Sequence, residues 1–119
     1  MRVIKASEGT SQERTGQPIF EGQVWGRGLV EGEGHLTASI VQFAVGGRTR
    51  MHTHTSDQLL YVVAGIGKVG TAEGEQLIST GDVALIPAGE AHWHGAGDSG
   101  SPMSHLTVMR ADSETEVLG

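Results

Sequence analysis

The placement of glycine constrains the fold of this chain more than any other feature. Nineteen of the 119 residues are glycines, against three prolines, and they fall between short apolar runs without a repeating period. Glycine supplies the backbone conformations that tight turns need, so many short strands are predicted rather than low-complexity disorder. No stretch has the apolar spacing of an amphipathic helix. We therefore expect an all-β chain, either a barrel or, as the less favoured alternative, an immunoglobulin-like sandwich.

Ten strands are predicted from residue alternation, β-branched content and flanking turn residues. Residues 7–16, 26–34 and 96–102 are expected to form loops, and residues 64–67 a turn. The tail, 111–119, is expected to be a short helix or a frayed end. The predicted strands are 3–6, 18–25, 35–45, 51–53, 59–63, 68–72, 75–79, 83–86, 91–95 and 103–109.

Composition excludes several classes of function. The net charge of −6 and the scattered basic residues argue against nucleic-acid binding, which needs clustered positive charge. The chain has no cysteine, so any metal must be held by histidine, carboxylate or amide ligands. No signal peptide and no apolar run of about 20 residues is found, so a cytoplasmic protein without membrane contact is predicted.

Histidines gather at two places. His52 and His54 are two residues apart, so on a strand both side chains point to one face. Gln58 lies four residues further on, where a loop or bulge can return its amide oxygen to the same centre. His92 lies on another predicted strand, with His94 on the same face. Because neutral imidazoles bind divalent transition metals, the pattern predicts a metal site at His52, His54, Gln58 and His92.

The glycines around these histidines follow two regular strings. The first reads G-x5-H-x-H-x3-Q-x6-G over residues 46–65, and the second reads G-x5-P-x-G-x2-H from residue 81. They resemble the two cupin signatures, G-x5-H-x-H-x3,4-E-x6-G and G-x5-P-x-G-x2-H-x3-N. The first lies at residues 46–65 and the second at 81–96. We expect both to belong to a single domain, residues 1–119. Gln58 replaces the glutamate of the first signature, and Ala96 replaces the asparagine of the second. The resemblance implies a double-stranded β-helix, or jelly-roll barrel, with one divalent metal in its mouth.

Glutamine at position 58 changes the charge of the expected site. Three neutral imidazoles and one amide leave a divalent ion its full formal charge of +2. Such an ion should be a stronger Lewis acid and should favour anionic ligands. The alternative is a three-histidine site with Gln58 as a polar neighbour, since amides are weaker ligands than carboxylates.

Two further histidines are candidates for proton transfer. Strand parity places His94 on the cavity face beside His92. His105 shares its face with Thr107 and Met109, which in a barrel could be the cavity wall, and plain packed histidines are the alternative for both. The strings HWHGA at 92–96 and MSHL at 103–106 resemble a narrower cupin group, small manganese-dependent hydroxynitrile lyases. That resemblance implies manganese, His105 as base and His94 beside it, although iron, zinc, nickel and copper also suit the ligands. His35 is expected to be exposed, and Trp93 to pack outside the cavity or at a subunit contact.

Three functions remain open from the sequence. The first is a metal-dependent lyase acting on a small carbonyl or hydroxynitrile compound, and the second a dioxygenase of small phenolic or diketone compounds. The third is a non-catalytic module that binds a small ligand. The resemblance also implies a homodimer, in which residues 3–6 would add to a partner's sheet edge. Either face of the strand at 35–45 could line the cavity: Ser39, Val41 and Phe43, or Ile40, Gln42 and Ala44.

Overall fold

The computed structural model describes residues 1–119 and consists almost entirely of antiparallel strands, which confirms the all-β class. The one helical element is a 3₁₀ turn at Ala6–Glu8. The structure contains no helix with the length and apolarity to cross a membrane. The strands are β1 (Gln12–Glu13), β2 (Phe20–Glu21), β3 (Val24–Glu31), β4 (Leu36–Phe43), β5 (Arg48–Thr49), β6 (His52–His54), β7 (Gln58–Thr71), β8 (Gly74–Ser79), β9 (Val83–Ile86), β10 (Trp93–Gly95), β11 (Met103–Arg110) and β12 (Thr115–Val117).

One long strand, β7, joins the two walls of a curled sheet. Its first half pairs with β11 and β9, and β11 continues through β4 and β3 to β1. Its second half pairs with β8 and β10, and β10 continues through β5 to β2. A separate ladder joins β12 to β6. The sheet therefore curls around an interior into which alternate side chains of each strand point.

A bend at Gly65 lets β7 serve both walls. The prediction of a turn at 64–67 is wrong, because 14 residues run as one strand through this point. Gly65 has a φ of +81°, and a Cβ at this position would overlap the carbonyl group of Pro102. The pairing of β7 with β11 shifts register here, between Ser104 and His105. The glycine thus marks a close approach and a bulge within a strand, which short-range turn rules interpret as a chain reversal.

Substitution of Gly65 tests this interpretation of the bend. We expect Gly65→Ala to lower the free energy of unfolding by about 3 kcal/mol, since a left-handed residue with a side chain is strained and the methyl group overlaps backbone. Gly81→Ala is the matched control, because Gly81 has a φ of +94° but open space around its Cβ position. We expect a loss of about 1 kcal/mol there. Equal losses in urea unfolding would show that contact with Pro102 is not the cause.

The prediction of a loop at 26–34 is also wrong, because residues 24–31 form β3. Gly26 and Gly28 lie within this strand and leave room for other side chains. A Cβ on Gly26 would lie 3.2 Å from Nε of Arg14, and one on Gly28 would overlap the carboxylate of Glu31. Glycine within a strand can mark close approach by a neighbour rather than a turn.

Both ends of the chain differ from the predictions. Residues 3–6 form no strand and pair with nothing, and the 3₁₀ turn begins at Ala6. The strand predicted at 18–25 is divided by residues 22–23 into β2 and the start of β3. The tail forms β12 rather than a helix or a frayed end, because residues 115–117 pair with the histidine strand β6.

The apolar core fills one end of the interior. Val24, Phe43, Val62 and Met103 form most of it, each 2% exposed or less. Phe43 also contacts the rings of two histidines, at centroid distances of 5.5 and 6.0 Å. The core therefore ends where a cluster of buried histidines begins, and it provides the rigid floor of that cluster.

Candidate metal centre

Backbone pairing brings the histidines of the two predicted strings together. His52 and His54 are the buried, alternating positions of β6. His52 and His92 form an isolated antiparallel bridge, with N–H···O distances of 2.9 and 3.0 Å in the two directions. Their rings consequently lie 4.2 Å apart between centroids. The imidazole nitrogens of His52, His54 and His92 all lie within 4.8 Å of one another, as the sequence predicted.

Hydrogen bonds at Nδ1 orient each of these three rings. Nδ1 of His52 lies 2.7 Å from the carbonyl oxygen of Arg50, and Nδ1 of His92 lies 2.8 Å from that of Glu90. Because a carbonyl only accepts, Nδ1 carries the proton in both rings. Nδ1 of His54 lies 2.8 Å from the hydroxyl of Thr115. The bonds at Nδ1 direct Nε2, the usual metal-binding nitrogen in such an arrangement, towards the common centre.

No protein atom donates a hydrogen bond to the Nε2 atoms of these three rings. Nε2 of His52 and of His54 is buried without a hydrogen bond. Nε2 of His92 lies 3.0 Å from the amide oxygen of Gln58. Both atoms are acceptors, and this contact is unfavourable unless a cation binds the two. A separation of 3.0 Å is what neighbouring ligands have at right angles on an ion with bonds of about 2.1 Å. The residues therefore fit a bound metal ion.

Gln58 begins β7 and is held in place by a second strand. Its side chain is 3% exposed, and its amide nitrogen donates a 2.9 Å hydrogen bond to the hydroxyl of Thr107. This bond turns the amide oxygen towards His92. The structure thus places Gln58 with the three histidines, as the spacing of the first string predicted.

His94 and His105 form a second buried pair beside the first group. Nε2 of His105 lies 2.9 Å from Nδ1 of His94, and the opposite nitrogen of each ring has no partner. The ring of His94 lies 5.4 Å from that of His52 and stacks on that of His92 at 5.7 Å. The backbone N–H of His94 donates a 3.1 Å hydrogen bond to the hydroxyl of Thr49. Both residues face the interior, which parity predicted for His94 and left open for His105.

Burial lowers the pKa of every histidine in this cluster. Desolvation is the largest cause for all five, and it brings the pKa of His52, His54 and His105 to about 4. The pKa of His92 is lowered in the same way, and that of His94 well below its ordinary value, with His105 as a further cause. The imidazoles are therefore neutral at pH 7, which is the form that binds metals.

This cluster should make the stability of the metal-free chain depend on pH. Between about pH 4 and pH 6.5 the unfolded histidines take up protons that the folded ones refuse, so the free energy of unfolding increases with pH across this window. We expect the urea midpoint to fall between pH 7 and pH 5, and His105→Gln to flatten that slope. His35→Gln, at an exposed histidine, is the matched control. A midpoint that stays constant over this range would contradict a buried neutral cluster.

Several residues of the site were not predicted from the sequence. Thr115 reaches His54 from β12, 61 positions away, and nothing local indicates that contact. Thr107 could have been found, since it shares a face of β11 with His105. His35 is exposed, as predicted. Trp93 lies on the opposite face of β10 from His94, but its ring is covered within the chain by the guanidinium of Arg48, 3.8 Å from the ring centre.

A cavity of about 490 Å³ has His54 in its wall, and two further cavities lie near the histidine cluster. One, of about 640 Å³, has His92 in its wall together with Glu73, Glu75 and Glu90. The other, of about 470 Å³, lies over β3 and β4 and is lined by Phe20, Ser39 and Val41 among others. No histidine lines this cavity, but Val41 in its wall pairs directly with His105 on the next strand. The face of β4 that carries Ser39, Val41 and Phe43 is therefore the interior one.

Comparison with known proteins defines the class. The sequence matches the family model for the cupin domain over residues 39–109, more than half of the chain. The chain belongs to the cupin family, and the predicted double-stranded β-helix is confirmed. Among curated proteins it is similar to an (R)-mandelonitrile lyase of Granulicella tundricola, with 42% identity over 75 residues. That alignment covers 62% of this chain and 56% of the relative, so the chain spans little more than half of the relative's length.

Solved structures show the same architecture. A cupin-like protein of Thermotoga maritima superposes with a TM-score of 0.81 and 29% identity, over 93% of this chain and 85% of that one. A polyketide cyclase of Streptomyces resistomycificus superposes with a TM-score of 0.85 and 18% identity, over 100% and 86% of the two chains. At that lower identity the similarity concerns the fold alone.

Proposed function

We propose that this chain is a metal-dependent lyase that acts on a small hydroxynitrile or carbonyl compound. The observation that carries the proposal is the convergence of three neutral imidazoles with the neutral amide oxygen of Gln58. The similarity to a protein named (R)-mandelonitrile lyase supports the same reaction class. His52, His54, His92 and Gln58 would hold one divalent ion, with manganese as our first candidate and iron, zinc, nickel or copper as alternatives.

The charge of the ligand set favours an anionic product. None of the four residues carries a negative charge, so a bound divalent ion would supply uncompensated positive charge for cyanide or a polarised oxygen. The three carboxylates around the larger cavity would repel an anion, whereas the wall of the cavity over β3 and β4 contains one carboxylate, Glu31, and includes Val41, the strand neighbour of His105. We therefore assign the substrate to the cavity over β3 and β4.

The pair His94 and His105 would move the proton. Cleavage of a hydroxynitrile removes the hydroxyl proton, forms the C=O bond, breaks the C–C bond and releases cyanide, which takes up a proton as hydrogen cyanide. A proton accepted by one of the two rings can be shared with the other across the 2.9 Å contact from Nδ1 of His94 to Nε2 of His105. Both rings are neutral at pH 7 because burial lowers the pKa of each, so either can accept a proton.

Metal analysis and two assays test the proposal together. The purified chain should carry about one equivalent of a transition metal by mass spectrometry, and should release benzaldehyde from mandelonitrile with or without oxygen. Gln58→Ala should lower this activity. Oxygen uptake with catechol or a diketone, without mandelonitrile cleavage, would favour the dioxygenase. Metal binding without either reaction would leave a ligand-binding module and overturn the enzyme proposal.

We also propose that the chain forms a homodimer through the outer face of β7 and β9. Register places Leu59 opposite Leu85 and Tyr61 opposite Val83, and all four are between 37% and 66% exposed. Apolar side chains that are contiguous on one sheet face favour association, unlike single scattered ones. The face is next to β11, so a partner would stabilise the wall that carries His105.

Light scattering after size exclusion measures the mass directly. The native chain should elute at twice its 12.5 kDa mass at micromolar concentration, and Leu85→Lys should convert it to a monomer. Leu77→Lys is the matched control, since Leu77 is equally exposed, at 66%, but lies apart on β8. A native monomer, or a dimer that survives Leu85→Lys, would contradict this interface.

A further inference from the structure

Arg14, between β1 and β2, is half-buried, and its side chain lies against β3. Its backbone N–H donates a 2.7 Å hydrogen bond to the carbonyl of Val24, which fixes the residue against the start of β3. The side chain then lies across Gly26, with Nε, Cγ and Cζ at 3.2, 3.3 and 3.5 Å from the position of a Cβ. Any side chain at position 26 would displace the arginine, so the glycine makes room for it.

The guanidinium of Arg14 has no counterion. Its Nε is buried and has no hydrogen-bond partner. The ion pairs of the chain involve Arg2, Arg50, Lys68 and Arg110, and none includes Arg14. Arg14 as a whole is half-buried, but a buried donor without a partner is costly, so buried donors in proteins are normally hydrogen-bonded. The missing partner is therefore expected to be an anion that enters from solution.

Arg14 lies on the same side of the sheet as His105, two strands away. Across the sheet, Gly26 pairs with Val41 and Val41 pairs with His105, so all three face the interior. Neighbouring strands are about 4.8 Å apart, which puts His105 about 10 Å from Gly26 across the sheet. Arg14, Gly26 and Val41 all line the 470 Å³ cavity. The cavity thus has Arg14 in its wall together with Val41, the strand neighbour of His105.

Glu31 is the other charged residue of this cavity. It lies over Gly28, on the same face of β3, and is exposed. It does not come within ion-pairing distance of Arg14. Its carboxylate would repel a second negative charge near the cavity mouth, so the site suits a ligand with one anionic group.

We propose that Arg14 binds a carboxylate of the substrate, which makes the substrate class a small organic monocarboxylate with its reactive carbon at the histidine end. The planar guanidinium can form two parallel hydrogen bonds with a carboxylate, a geometry that a lysine cannot reproduce. The inference rests on the proposed function for the reactive end of the substrate only, and mandelonitrile, which has no carboxylate, tests that end alone. Recognition of the carboxylate end can be measured without turnover.

Benzoate and benzamide are suitable probes, since they have the same shape and differ in charge. Titration calorimetry on the metal-loaded full chain should show benzoate binding at least about tenfold more tightly than benzamide. Arg14→Gln should remove this preference without changing benzamide binding, and Arg14→Lys should retain part of it. Arg27→Gln is the matched control. Arg27 follows Gly26 in β3, and its Nε is also buried without a hydrogen-bond partner. It should bind both probes as the native chain does.

Three results would overturn the inference. Equal binding of the two probes by the native chain would do so whatever the variants show. A preference that survives in Arg14→Gln would place the carboxylate on the metal, and an equal loss in Arg27→Gln would indicate a general effect of charge. A preference that depends on Arg14 in a chain without lyase activity would instead uphold the inference and refute the proposed function.

Discussion

Replacement of His52 by alanine is expected to remove the metal from this protein. His52 and His54 are the two expected histidine ligands whose buried Nε2 atoms lack any partner, and the backbone bridge from His52 to His92 positions a further ligand. Loss of a residue that only supports a ligand typically costs 10–100-fold in affinity, so we expect loss of the ligand itself to cost more than about 100-fold. Competition with a fluorescent chelator, using manganese and zinc in turn, measures this change.

Two other histidines make the result specific. His35→Ala removes an exposed imidazole and should leave metal affinity unchanged. His94→Ala removes a buried imidazole next to the site that is paired with His105, and should retain most of the metal. If His52→Ala keeps its full metal content, the assignment of the centre is wrong.

Replacement of His105 should strongly reduce turnover and leave metal binding unchanged. Proton transfer by a positioned side chain contributes about 10²–10⁴-fold to a rate, so His105→Gln should lower mandelonitrile cleavage by that factor. Its imidazole is fully buried and contacts Phe43 and His94, while its backbone lies in β11 between the paired strands β4 and β7. Metal content should stay at the native level, because His105 lies outside the group of three converging histidines.

A control on the same strand separates chemistry from packing. Ser104 precedes His105 and points to the other face of β11, so Ser104→Ala should leave the rate unchanged. Comparable losses in both variants would indicate damage to the strand. Native activity in His105→Gln would remove this residue from the proposed mechanism and leave His94 as the remaining candidate.

The fold could be predicted as far as local patterns carry information. Residue type and flanking turn residues identified β4, β8, β9 and β11 to within a few residues, because turn or loop residues bound each of these strands. Gly65 and Gly26 gave wrong predictions, since a glycine required by a neighbour's approach has the same local appearance as one required by a turn. Which of the two applies depends on Pro102 and Arg14, which are distant in sequence.

The candidate site could be predicted to a similar extent. The spacing of the two strings and the period of a strand were enough to place His52, His54, Gln58 and His92 together. Parity placed His94 on the interior face and made His105 a candidate for it. The partners that orient the rings were not predictable. They are backbone carbonyls and the hydroxyl of Thr115, whose positions follow from the folded chain.

The pairing of β12 with β6 connects residues 115–117 to two histidines of the candidate metal centre. Thr115 and Val117 pair with His54 and His52, and β12 has no other strand as a neighbour. If a metal bound at this centre stabilised the pairing, ordering of this short strand would favour metal binding by the same free energy. Amide exchange at residues 115–117 would then report metal loading at a position outside the ligand set.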